Sequence, residues 1–470
     1  HVLGKYLALT AWPETLSCDY SYNEIPIFSG TLTRHGDWQA WLSLAALVLV
    51  ALVALAAFRR QPSLFFCLAF AAAMVAPAAN ILFCTGTIMG ERVMYGPLIG
   101  LLGAGVCVLS AAYGRWVRGA SRDSSRRLAV VAAGLAAIVV AALSHRAYDR
   151  NLDWRDEESL WTSAVQACPG SHKVHQGLAE ARGRRLVAEE PQQPGPRQDF
   201  HVDTFRTEVL DRAARGLAIY DAAPLGLVHE PVRLIADLMY YHLALGDRIS
   251  LQAGVEPHAA APAAREWYEK GAALGRRAVA ADRAMNDAAK AAQRGRGVPQ
   301  ARVFDTGNPE MYRIDGQLLM RLRRWPEAVA SLEYARHLDP GDASTSQLLA
   351  ECFSRAGDRD RAAVSLLQAF WVGDEQERNA ALATLAAIDD DDGLGEPPSL
   401  VRDAAGRWRL NTQSPLLMRQ LRQASGEMIG ILIGSGHLAE ARSMYDRAVR
   451  LYNVPPDALS AYLPLLQPAE

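Results

Sequence analysis

SHRAYDRNLDWRDEESLWTSAVQACPGSHKVHQ, residues 144–176, separates two stretches of opposite composition. Before it the chain is apolar and almost free of charge; after it come Ala-rich amphipathic segments that continue to the C-terminus. The stretch itself holds Tyr148, Trp154, Trp161 and a mixed set of charges. Amphipathic rings followed by solvated ions are what a chain needs as it leaves a bilayer for water. Residues 145–172 therefore read as a hinge between a membrane half and a soluble helical half.

The 470 residues carry a formal net charge of -2, and the length fits roughly two to four domains. A nearly neutral balance argues against a nucleic-acid binder, which presents a basic face. Six cysteines, at 18, 67, 84, 107, 168 and 352, form no CxxC pair and no metal-ligand spacing, so no disulfide framework is readable. Cys67, Cys84 and Cys107 fall in apolar runs, where a thiol acts as a small hydrophobe.

Working back from the hinge, four uncharged runs approach or exceed the roughly 20 residues that span a bilayer. They are Trp38 to Phe58, Gln61 to Gly90, Val93 to Gly114 and the shorter Leu128 to Ser144. The second contains Pro77, which predicts a kink. Arg59 and Arg60 follow the first run, and Arg115, Arg118, Arg122, Arg126 and Arg127 follow the third. Because cytosolic loops collect Lys and Arg, residues 1–37, the Glu91 turn and everything after His145 are expected outside. Gly100, Gly103 and Gly105 lie in an apolar run with no preceding strand, so they are expected to let helices approach rather than to bind a nucleotide.

Two polar islands stand at the expected outer face. LSCDYSYNEIPIFSG (16–30) holds Asp19, Tyr20, Tyr22, Asn23 and Glu24; CTGTIMGERVMYGP (84–97) holds Glu91, Arg92 and Tyr95. Arginine at a membrane boundary suits a lipid-linked phosphate, and a carboxylate beside it can orient an acceptor or fix the arginine. The alternative is structural: an ion pair among Glu91, Arg92 and Asp19 that closes the outer ends of the spans. Spacing leaves both open.

Forward of the hinge, a 34-residue period emerges after residue 310. Ala328 falls on Ala362 and Ala335 on Ala369, and a third copy, from Gly426, puts Ala441 and Ala448 at the same positions. Small residues at helix crossings with this period are the tetratricopeptide (TPR) signature. Residues 310–470 are read as TPR repeats, 173–290 as degenerate TPR-like hairpins with insertions, and 291–309 as an irregular linker. LVAEEPQQPGPRQDF (186–200) is expected as a loop, which a solenoid tolerates because each repeat touches only its neighbours. Trp371 could line a groove but is read as a cap. The run Asp389–Asp392 lacks the alternation of a calcium loop. His172 and His175 lack a third ligand nearby, so no metal is assigned. No nucleophile elbow, P-loop or zinc motif is present.

Three segments resemble the transmembrane-and-TPR protein O-mannosyltransferases and their bacterial relatives. CDYSYNEIP (18–26) is similar to that family's DYSY…IP segment. GERVMYGP (90–97) is similar to its AER-x-LY-x-P turn. RNLDWRDEESLW…CPGSHKVH resembles its entrance to the repeats. The resemblance implies an all-α protein: a polytopic helix bundle over 38–144, part of a GT-C-like fold, followed by an extracytosolic TPR α-solenoid. It implies a glycosyltransferase that moves a sugar, mannose in the founding members, from a polyprenyl-phosphate carrier to a protein hydroxyl. No other cofactor is implied, and the TPR concave face would hold the acceptor protein. Substrate-binding positions would be Asp19, Tyr20, Glu91, Arg92 and Tyr95. The family's catalytic acids sit in an early outer loop, expected upstream of residue 1, so the chain reads as the C-terminal part of such an enzyme. Gly90, Gly96 and Leu98 depart from the family pattern, where Ala, a larger apolar residue and Ser are usual. Ala- and Arg-rich composition suggests a bacterial inner membrane, with the endoplasmic reticulum as the eukaryotic counterpart. The competing expectation is a membrane-anchored TPR scaffold for protein–protein interactions without catalysis.

Overall fold

The computed structural model describes residues 1–13, 15–21, 24–25, 30, 37–78, 88–118, 122–188, 202–222, 231–255, 260–296, 305–389, 399–403 and 405–466. The chain forms two compact units: one made of His1–Pro191 with Thr204–Gly226, and one made of Gln192–Asp203 with Leu227–Glu470. Nearly every ordered element is helical.

In the first unit, α1 (Val2–Ala11) is followed by the long apolar α2 (Asp37–Arg60), α3 (Pro62–Val75), α4 (Tyr95–Val117) and α5 (Arg122–Asp153). Uninterrupted Leu, Val, Ala and Phe make these helices apolar on every side, and a helix with no polar face has no use for water. Among the described residues, three helical stretches are long and apolar enough to cross a membrane: Asp37–Arg60, Glu91–Val117 and Ser124–Asp153. The expected second span is shorter than its apolar run. Helix α3 has 14 residues, about 21 Å at a rise of ~1.5 Å per residue, and gives way to a tight turn at Ala76–Ala78 that contains Pro77. The rest of that run, including Cys84, lies outside the described residues.

Helices α3 and α4 pack closely because α4 is notched. A Cβ on Gly100 would meet Cys67 O at 2.6 Å, and one on Gly103 would meet Cys67 Sγ at 2.9 Å. Gly96 is crowded in the same way by Met74. Small residues thus serve the approach expected of them, except Gly105, which has nothing within 4 Å. Helix α5 continues well past Ser144, where the fourth apolar run ends, and none of its described side chains is buried.

The hinge is helical. Asp156 Oδ1 accepts from Ser159 N and Ser159 Oγ accepts from Asp156 N, a reciprocal cap that starts α6 (Glu157–Ala167). A Cβ on Gly177 of α7 (His172–Ala188) would strike the Trp161 ring, so Trp161 packs directly on α7 backbone. The single turn α8 (Val202–Phe205) and α9 (Asp211–Asp221) follow, with α9 against α7.

The second unit begins with α10 (Val232–Gln252) and α11 (Pro262–Gly295). Helix α11 is longer than its periodic segment suggested and takes up the start of the expected linker at 291; residues 305–308 then lead into α12 (Pro309–Arg321). Antiparallel pairs follow: α12 with α13 (Trp325–Leu338), and α14 (Ala343–Arg355) with α15 (Arg359–Val372). After α16 (Glu375–Asp389) comes a pair formed by α17 (Pro415–Gly434) and α18 (Leu438–Tyr452). The six period-matched alanines, Ala328, Ala335, Ala362, Ala369, Ala441 and Ala448, are all at most 1 % exposed. Trp371 is buried rather than displayed.

Two features add to the all-α expectation, which the predominantly helical chain bears out. A small antiparallel hairpin, β1 (Leu400–Arg402) with β2 (Trp408–Leu410), pairs Val401 with Arg409; Asp403 accepts from Ala405 N and Arg407 N, and Gly406 has φ +76. The chain there is too short for a helix and holds the Gly that a tight turn needs. Also, α16 stacks on α14 and α15, whereas α17 lies against α15 and α13. The third copy is therefore set aside from the line of the first two by inserted chain. The segment 189–200 and residues 390–398, with most of the Asp run, lie outside the described residues.

Candidate functional site

The first unit brings the three family-like segments together. Tyr20, Tyr6, Met89 and Cys168 form one buried apolar cluster, with Ile25, Val93, Met94 and Ala167 packed against it. Its members come from α1, the 16–25 loop, the turn before α4 and the end of α6. Burying an apolar cluster in common is what holds polar loops in place at the ends of spans.

Polar contacts fix the register. Glu91 Oε1 accepts from the Tyr20 hydroxyl at 2.5 Å and from Ser17 N at 2.7 Å. The Tyr6 hydroxyl donates to Gly90 O at 3.1 Å and accepts from Gly90 N at 2.9 Å. Ser171 Oγ donates to Asp19 Oδ2 at 3.2 Å and lies 2.5 Å from Ser21 Oγ, which is 3.5 Å from His172 Nδ1. Gly170 N donates to Glu24 Oε2 at 3.1 Å. Lys5 stands 3.9 Å from Glu24 and 4.6 Å from the centre of the Tyr20 ring.

Burial, then the hydrogen bond to Glu91, push the Tyr20 phenol well above its ordinary value. Burial, then Asp19, push the Cys18 thiol up to about 11, and burial does the same for Cys168. Burial lowers both His172 and His175; His175 Nε2 sits 3.1 Å from Pro169 O. Burial thus disfavours both the thiolate and the imidazolium forms in this cluster. Among the described residues no group of three His, Cys, Asp or Glu could hold a metal.

Of the five positions singled out, Asp19, Tyr20 and Glu91 are joined to this cluster through hydrogen bonds within the protein. Tyr20 is 2 % exposed. Arg92 and Tyr95 are exposed, and Arg92 makes no side-chain hydrogen bond or ion pair among the described residues. The structural alternative that spacing left open, an ion pair among Glu91, Arg92 and Asp19, does not form; the Tyr20 phenol and the Ser17 amide donate to the Glu91 carboxylate instead. Tyr22 and Asn23 lie outside the described residues. Sequence reasoning missed Ser17, Ser21, Ser171 and Tyr6. Ser17, Ser21 and Ser171 stood inside quoted motifs, but nothing local marked Tyr6, whose partner is 84 residues away.

These features define a helical integral membrane protein with an ordered polar cluster joining the loops at one end of its spans. Over part of its length it is similar to proteins named as TMTC protein O-mannosyl-transferases, in agreement with the three motifs. It is 32% identical over 186 residues to mouse Protein O-mannosyl-transferase TMTC4, covering 37% of this chain and 23% of that protein. Identity is 38% over 117 residues, 24% of this chain and 13% of the relative, for Protein O-mannosyl-transferase Tmtc1 of Drosophila melanogaster. For that organism's Tmtc3 it is 29% over 188 residues, 38% of this chain and 19% of the relative. Each match thus spans less than a quarter of the relative's length. No family model matches the chain.

Proposed function

We propose that this chain is part of a GT-C-type glycosyltransferase that moves a sugar, mannose by analogy with the relatives' names, from a polyprenyl-phosphate carrier to a protein hydroxyl. The observation that carries it is the convergence of the three motifs on one hydrogen-bonded cluster, with Arg92 left exposed beside Glu91. An unpaired guanidinium at this level suits a lipid-linked phosphate. Glu91 and Tyr20 position the turn that carries it, while Asp19 ties the loop to the start of α7. Tyr95, one helical turn from Arg92, borders the same surface. The α12–α18 hairpins act as a tetratricopeptide array that holds the acceptor. In support, a cleft of about 620 Å³ within the second unit is lined by Arg336, Arg361 and Glu427. The cluster faces the extracytosolic side of a bacterial inner membrane or its endoplasmic-reticulum counterpart, as the Arg-rich loops argue.

Arg92→Ala in the full-length protein is expected to lower transfer from a polyprenyl-phosphate sugar at least tenfold, in line with ~1.5–3 kcal/mol for a charge-assisted contact, with the thermal midpoint unchanged. Normal transfer by that variant would remove the phosphate role. One observation favours a second reading, a scaffold without chemistry: Asp19, Glu24 and Glu91 all accept hydrogen bonds that hold chain segments together. A full-length wild-type protein inert toward every polyprenyl-phosphate sugar would select it.

A further inference from the structure

Beside the end of α1, a second cleft of about 360 Å³ opens between α5 and α6, lined by Pro13, Thr15, Arg146, Asp149, Arg150 and Ser163. Arg146 and Arg150 are one turn apart on α5. At a rise of ~1.5 Å per residue they stand roughly 3 Å and 9 Å beyond Ser144, where the apolar run ends. That is headgroup depth, and Trp12, Tyr148 and Trp154 are all more than half exposed at the same level.

The wall is partly neutralised from within. Arg150 Nη1 donates to Asp153 Oδ2 at 2.7 Å and to Ser163 Oγ at 2.9 Å, while Ser163 donates to Asp153 at 3.0 Å. Asp149 lies 3.7 Å from His145, both largely exposed. Arg146 donates through Nε to Pro13 O and lies 5.6 Å from the Trp12 ring centre. What remains is the rest of Arg150: Nε and Nη2 are closed off from solvent and have no hydrogen-bond partner among the described residues, and the guanidinium lies 5.9 Å from the centre of the Trp154 ring. A buried guanidinium N–H without an acceptor is costly, and such a group points to a missing acceptor. A tetrahedral oxyanion fits the guanidinium fork.

We infer that this cleft binds a phosphate group through Arg150 and Arg146. The phosphate comes either from a lipid headgroup or from free phosphate, and neither source depends on the glycosyltransferase reading. The test uses the full chain in phosphatidylcholine nanodiscs and reads the thermal midpoint. One arm adds phosphatidic acid to the disc; the other adds inorganic phosphate to the buffer. Stabilisation by the lipid alone assigns a headgroup; stabilisation by inorganic phosphate as well assigns a soluble oxyanion. In either case Arg150→Gln is expected to weaken the apparent affinity roughly tenfold or more. Absence of stabilisation in the wild type overturns the inference, as does equal affinity in Arg150→Gln. If Arg150→Gln fails to fold by size exclusion and circular dichroism, Arg146→Gln is read by the same two outcomes. Because no sugar is transferred, failure here leaves the Arg92 proposal standing, and the reverse.

Discussion

Helices α2 to α5 and helices α12 to α15 draw on the same apolar alphabet and use it in opposite ways. In the membrane stretch the large residues point outward: Leu55, Leu109 and Ile138 are each 66–71 % exposed. What it buries is mainly small, Ala40, Ala57, Ala71 and Ala104, alongside Leu64. In the hairpins Leu318, Leu332, Leu349 and Leu367 are fully buried. The difference is the solvent. Lipid tails are as apolar as Leu, so helices in a bilayer associate by close approach of small residues. In water, removing large apolar surface is the main driving force.

That comparison can be broken at several points. Leu332→Ala should cost about 2–5 kcal/mol, read from denaturant unfolding of the second unit's helices. Ile138→Ala on α5, in a bilayer, should cost under about 0.5 kcal/mol; a cost like that of Leu332 would mean α5 is packed by protein. Gly100→Val should cost about 3 kcal/mol, the upper end for overpacking, since its Cβ meets backbone at Cys67 O. Gly105→Val is the matched control, with open space around it and little expected change in detergent-solubilised stability. Tyr20→Phe removes the donor to Glu91 and should cost about 2 kcal/mol. Faster hydrogen exchange confined to residues 15–25 and 90–94 would be its sign, and uniform exchange would show that the bond does not hold the loop.

The smallest effect concerns pH and the joint between α11 and α13. Burial works against the charge of Asp305, but hydrogen bonds from Lys290, Asn286 and His337 outweigh it and hold the carboxyl down to about 2. A depressed carboxyl contributes stability that is fully present above its unfolded value near 4 and is lost as pH falls toward 2. Asp305→Asn should therefore flatten the fall in stability between about pH 4 and pH 2. An unchanged acid profile would show that another group governs it.

Much of this was legible in the sequence. Apolar run lengths fixed where helices lie, and the 34-residue recurrence of Ala328, Ala335 and their counterparts marked the crossings that proved buried. Asp19, Tyr20, Glu91, Arg92 and Tyr95 stood out as charged or aromatic residues at span ends. Their partners did not. Local pattern carries no information on which carboxylate meets which phenol across 71 residues, nor on Arg150 meeting Ser163.

Residues 144–176 by themselves marked the change from apolar to amphipathic composition, because hydropathy is a property of composition and needs no contacts to be read. Period and small-residue spacing likewise determined the helical hairpins, since helix geometry is local. Only the tertiary structure decided that Ser17, Tyr20, Glu91, Asp19 and Ser171 form one cluster, that Arg92 stays outside it, and that α17 leaves the line of the earlier pairs. Those outcomes depend on which surfaces find complementary shapes and which polar groups find partners, and pairing across distant segments is settled by packing in three dimensions.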